Sequence, residues 1–221
     1  MIFMVGIAAG IVCLYFIYEI FKEKTNIRSI GGIINVEQET PKEETIVLGA
    51  FSLVPGKNIY MFPIMGNQEY QGSSYYSKSA TSIRNYLFYD IRTGIRTKLF
   101  DKNKGLIQDS FRIVDMSSGL EQKPVVSTLF EVILNDDDNN GILNDNDFKH
   151  LYLYAFNDEA PRLILRNIAG INGIHQIDND KTVIFYEKPN DSVADVSVAV
   201  IDNLSGAIIK SDAILGGNTG S

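Results

Sequence analysis

A strand–tip–strand pattern recurs along this chain, while no long stretch carries apolar residues at helical spacing with caps at both ends. The clearest copy runs from Asn85 through Tyr86, Leu87, Phe88 and Tyr89 into a tip at Asp90, Arg92, Thr93 and Gly94. It then leaves through Ile95, Thr97, Leu99 and Phe100. A second copy passes from Leu151 and Tyr152 through Asn157, Asp158 and Ala160 into 161–165. A third passes from Val198 and Val200 through Asp202, Asn203 and Gly206 into 207–209. Apolar and aromatic runs of strand length, separated by residues that favour turns, predict hairpins.

Two further strand signals precede each hairpin: 46–53 and 58–64, then 110–115 and 125–134, then 173–177 and 182–187. The chain therefore divides into three units of four antiparallel strands, near 45–100, 105–167 and 171–214. This pattern resembles the blades of β-propellers, and the resemblance implies an all-β, partial β-propeller-like fold of four-stranded meanders. Rings usually close with four to eight blades. The resemblance thus implies an open stack, a ring completed by a second copy, or an edge capped by a partner, and homo-oligomerisation stays open. The competing reading is an antiparallel β-sandwich with no repeat.

Residues 2–21 are almost unbroken apolar sequence, with Glu19 the only charge. Twenty helical residues cover about 30 Å, the hydrocarbon thickness of a bilayer, so 1–21 is expected to be a single transmembrane helix. No basic segment precedes it, which argues against a cleaved signal peptide. Residues 22–44 read as a linker, with Gly31-Gly32 at its centre and a run without apolar side chains over 37–44; 216–221 read as a flexible tail. Lys22, Lys24 and Arg28 follow the helix and favour a cytoplasmic body by the positive-inside rule. The acidic loop described next favours the opposite side. The adopted expectation is a single-pass protein of the inner (cytoplasmic) membrane with an extracytoplasmic body, and the cytoplasmic body is the alternative.

That loop is Asp136-Asp137-Asp138-Asn139-Asn140-Gly141-Ile142-Leu143-Asn144-Asp145-Asn146-Asp147. Asp136, Asp138 and Asn140 stand at positions one, three and five of a twelve-residue calcium loop. Gly141 at six permits the sharp turn, Ile142 at seven offers a carbonyl, and Asp147 closes the ring. Leu143 at position eight supplies an apolar contact to a neighbour. The loop resembles those of EF-hand and dockerin proteins, here set between two strand-like runs, and the resemblance implies bound calcium. Asp147 in place of the usual Glu predicts a weak structural site of roughly 10⁻⁴–10⁻³ M, filled where calcium is plentiful. The competing reading is a solvated turn rich in Asp and Asn.

The segment 66–83 reads as an insertion rich in Tyr and Ser, and Tyr70, Tyr75 and Tyr76 are candidate partner-binding residues. The stretches Tyr75-Tyr76-Ser77-Lys78-Ser79 and Arg84-Asn85-Tyr86-Leu87-Phe88, with the acidic loop and the leading apolar segment, resemble a group of bacterial membrane-anchored envelope proteins. No activity comes with that resemblance. No catalytic residues are assigned: Ser77 and Lys78 are adjacent and point to opposite faces if extended, and His150 and His175 are the only histidines. A net charge of −7 with scattered basic residues excludes a nucleic-acid surface. The expected function is a membrane-anchored binding or scaffolding module of an envelope assembly with a protein partner. An envelope hydrolase, or an accessory subunit docking through its helix, is the rival.

Overall fold

The computed structural model describes residues 34–35, 45–70, 78–156, 158–189 and 195–215. The expected anchor over 1–21, most of the linker over 22–44, Tyr75, Tyr76 and the tail over 216–221 lie outside the described residues. Among the described residues every regular element is a strand.

In chain order these are β1 (Ile34–Asn35), β2 (Thr45–Leu48), β3 (Ser52–Leu53), β4 (Ile59–Tyr70), β5 (Lys78–Asp90) and β6 (Arg96–Lys98). Next come β7 (Leu106–Val114), β8 (Val125–Ile133), β9 (Ile142–Leu143), β10 (Lys149–Ala155) and β11 (Arg162–Ile168). The last four are β12 (Gly170–Gln176), β13 (Lys181–Lys188), β14 (Asp195–Asp202) and β15 (Ile208–Leu215). All pairings among the described residues are antiparallel, so this part of the chain is all-β, as its periodicity predicts.

Strands β12 to β15 form a four-stranded sheet in sequence order. The segments 45–100 and 105–167 do not stand as separate sheets. They share one nine-stranded sheet of order β11-β10-β8-β7-β5-β4-β2, with β3 on β4 and β6 on β5. The join between β5 and β7 is the single pairing of Ile83 with Ile107. A contact between residues so far apart leaves no local signature. The expected loop over 66–83 is also corrected: β4 and β5 run on as a ribbon in which Gly66 to Tyr70 face Ser82 to Lys78. Residues 66–70 and 78–82 are mostly polar or small, so no hydrophobic alternation marks a strand there.

Strand β8 is covered on both faces. Phe130 and Val132 pack with Tyr86, Phe88 and Tyr154. Leu129 packs on the other side with Leu151 and Leu165 and with Ile184, Ala199 and Ile201 of the four-stranded sheet. Burial on both sides explains why Leu129-Phe130 and Val132-Ile133 read as doublets and not as clean alternation. A polar seam joins the same two sheets. Gln176 donates to Val114 O at 2.7 Å and accepts from Val114 N–H at 3.0 Å. Met116 N–H donates to Asn179 at 2.7 Å, and Ser127 Oγ donates to Asn203 O at 2.8 Å.

Two of the repeated tips are built alike. Asp90 Oδ1 accepts from Arg92 and Thr93 N–H, and Asp202 Oδ1 from Leu204 and Ser205 N–H. Gly94 and Gly206 follow at φ +72 and +70, which only glycine adopts cheaply. These donors, Arg92 N–H foremost for Asp90 and Ser205 N–H for Asp202, hold both carboxyls below the ordinary range.

Candidate metal centre

The acidic loop is the connection between β8 and β10, which pair directly from Ile133–Lys149 to Ser127–Ala155. Its chain curls through left-handed turns at Asn139 (φ 56) and Gly141 (φ 79). Asparagine tolerates that region better than most residues, so the turn at position four needs no second glycine. The curl brings one carboxylate oxygen each from Asp136, Asp138 and Asp147 within 4.8 Å of one another.

The loop backbone clamps these groups. Asp136 accepts from Asn140 N–H at 3.1 Å and Gly141 N–H at 2.7 Å. Asp147, 1% exposed, accepts from Asp137 and Asn144 N–H, both at 2.8 Å. Shielding of the Asp138 carboxyl from water raises its pKa, and so do Asp136, by a side-chain contact and its charge, and Asp147, by its charge. Asn140 N–H pulls the other way. Three carboxylates this close repel strongly, and an all-oxygen set suits a hard divalent cation.

Asn140 and Ile142 stand differently from the three aspartates. The Asn140 amide nitrogen donates to Asp138 Oδ2 at 2.7 Å, so its side chain braces a neighbour. Ile142 lies in β9, paired with Asn35 of β1, so the linker strand rests on the loop. Leu143 is 1% exposed against Leu106 and Ile133. Tyr70 ends β4 opposite Lys78. Sequence reasoning missed Lys149, which is 7% exposed and donates to the carbonyls of Asp145, Asp147 and Ala169. Its signal was a lone cation opening a strand otherwise made of inward-facing residues.

His150 is 6% exposed, and its Nδ1 accepts from Asn167 N–H at 3.5 Å. Burial first, then the Arg166 charge, lowers its pKa, against a small opposing pull from Asp137. As pH falls, the unfolded chain takes up this proton before the folded one does. Stability from neutral His150 is therefore full above about 6.5 and is lost as pH falls from there towards the folded value. His150→Gln is expected to flatten that part of the stability–pH curve, measured by urea melts between pH 7.5 and 5. An unchanged slope would remove His150 as its source.

Comparison with family models, with curated proteins and with solved structures finds no match to this chain. Its chemistry therefore rests on its own residues.

Proposed function

We propose that this protein is a single-pass, membrane-anchored binding or scaffolding module of an envelope assembly, its body outside the cytoplasm and its acidic hairpin loop stapled by a structural calcium ion. The observation that carries the reading is the convergence of Asp136, Asp138 and Asp147 on the connection between adjacent strands. Their spacing follows the calcium loop, and oxygen-only donors favour calcium over zinc. The ion ties β8 to β10 and bears on the linker through β9 and β1. The apolar segment 2–21 supports the anchor.

The last unit is a blade-like meander, supported by the sequential order of β12 to β15 and the polar seam that docks them on the larger sheet. Partner contact falls on the Tyr-rich segment of Tyr70, Tyr75 and Tyr76 and on sheet edges. Edge strand β2 exposes Ile46 and Leu48, with Phe51 and Leu53 beside it. An unpaired strand edge with apolar side chains is a template for a protein partner.

Thermal melting of the full-length chain tests the ion. For a site of about 10⁻⁴–10⁻³ M, 10 mM calcium against chelator adds about 1.5–2.7 kcal/mol. That corresponds to a melting temperature higher by about 3–10 °C. Asp136→Ala with Asp138→Ala is expected to abolish the rise, and a parent protein without any rise would refute the site.

A further inference from the structure

Beside the carboxylate loop, two clefts of about 540 and 180 Å³ share Glu131 and Ile171 as a common wall, and Asp145 of the loop and Lys149 line the larger. Ser82 of β5, Ile107 of β7 and Gly170 of β12 line the larger one, so it lies where the two sheets meet. Four features mark it as built. Glu131 is the only charged residue of β8, on the same face as buried Leu129 and Ile133 and directly opposite Asp109 of β7. Like charges directly opposite on paired strands destabilise a sheet unless something neutralises them.

Ser82 is 5% exposed, lines the larger cleft, and its hydroxyl has no hydrogen-bond partner among the described residues. Gly170 and Gly173 line the larger and smaller clefts respectively, and a Cβ added at either meets nothing within 4 Å. Glycine inside a strand often marks the close approach of a ligand. Finally, the β7 and β12 ladders each slip one register here, at Gln108 and Asn172. Such bulges gather next to sites because they re-aim side chains.

Lys149 does not neutralise Glu131 by contact. Its ammonium is held by three backbone carbonyls, and among the described residues it forms no ion pair. Asp145 accepts from Gln108 Nε2. The Glu131 carboxyl is thus left facing the clefts, and desolvation, opposed by the Lys149 charge and reinforced by Asp109 and Asp145, raises its pKa.

The geometry points to a binding site for a primary ammonium on an aliphatic stem, with Glu131 as counter-ion, Ser82 Oγ as a second acceptor, and Ile83, Ile107 and Ile171 around the stem. An ammonium carries three donors and no acceptor, which matches the Glu131 carboxylate and the Ser82 hydroxyl on the cleft wall. The apolar walls favour a methylene stem over a bare inorganic cation. Two sources share this chemistry, a free alkylamine or diamine and a lysine side chain of a partner protein. The site does not rest on calcium in the loop.

The test titrates the full-length chain, in chelator, with n-butylammonium, 1,5-diaminopentane and Nα-acetyl-lysine amide, against n-butanol as the neutral control. Calorimetry and the amide resonances of Gly170 and Gly173 report binding. Saturable binding of amine but not alcohol is expected, weakened about tenfold or more by Glu131→Gln. Gly170→Val, which intrudes on the cleft and leaves the acid untouched, is expected to weaken binding while melting no lower than the parent. Preference for the lysine amide assigns a partner's side chain, and preference for the free amines assigns a small molecule. No saturable amine binding, or equal binding by Glu131→Gln, overturns the proposal. So does calcium binding that survives Asp136→Ala with Asp138→Ala but disappears with Glu131→Gln, since a divalent cation would then own the carboxylates.

Discussion

Phe130→Ala is expected to lower the free energy of unfolding by about 3–5 kcal/mol. The ring is 0% exposed in the strand that both cores share, with its centroid 5.3 Å from that of Tyr86. Strands β7 and β10 are paired to β8 on either side of this residue, through Ser110 and Tyr152, so the backbone is not free to close over the void. The loss should therefore fall in the upper half of the range. Phe130→Leu retains most of the volume and should cost about 1–1.5 kcal/mol. Urea denaturation with an unchanged m-value checks both. A loss below about 1.5 kcal/mol for the alanine variant would show that the sheets relax into the gap, contrary to two-sided packing of β8.

Asn203→Ala is expected to cost about 2–4 kcal/mol. Asn203 is 0% exposed just past the end of β14. Its Oδ1 accepts from Thr182 Oγ1 at 2.6 Å, and its Nδ2 donates to Asp178 O at 3.0 Å. Its backbone completes the node, with N–H donating to Asp180 O at 2.8 Å and the carbonyl accepting from Ser127 Oγ of β8. Alanine leaves the Thr182 hydroxyl, itself 0% exposed, without its acceptor, and an unpaired buried polar group costs its full desolvation. Thr182→Val removes donor and hydroxyl together and should cost only about 1 kcal/mol. In the double mutant the penalties should not add, with a coupling above about 0.5 kcal/mol. Strict additivity would mean that the 2.6 Å bond contributes nothing to the stability of the four-stranded sheet.

Much of the local structure was legible in the residues. Tips at Asp90 and Asp202 announce themselves because one Asp oxygen and a glycine four residues on close the turn without distant help. The acidic loop is legible for the same reason, since positions one, three and twelve are brought together by the curl of twelve consecutive residues. The ribbon over Gly66–Tyr70 was not legible, because its mostly polar sequence carries no hydrophobic period of two. Nor was Glu131: in sequence it is one acid in an apolar run. Only pairing with Asp109, twenty-two positions earlier, and the docking of β12 over it give it a role.

By itself, then, the sequence determined that the body is β throughout, where its clearest hairpins turn, and which carboxylates can meet, all properties set by φ preference, side-chain period and neighbours within a dozen residues. Tertiary structure alone decided that residues 45–167 share one sheet, that β8 is buried on both faces, and that a cleft with a charged wall opens between the sheets. Each of these depends on groups tens of residues apart, such as Ile83 with Ile107 or Ser127 with Asn203. Such contacts form only after the entropy of closing the intervening chain has been overcome, and that balance belongs to the whole fold and not to any window of it.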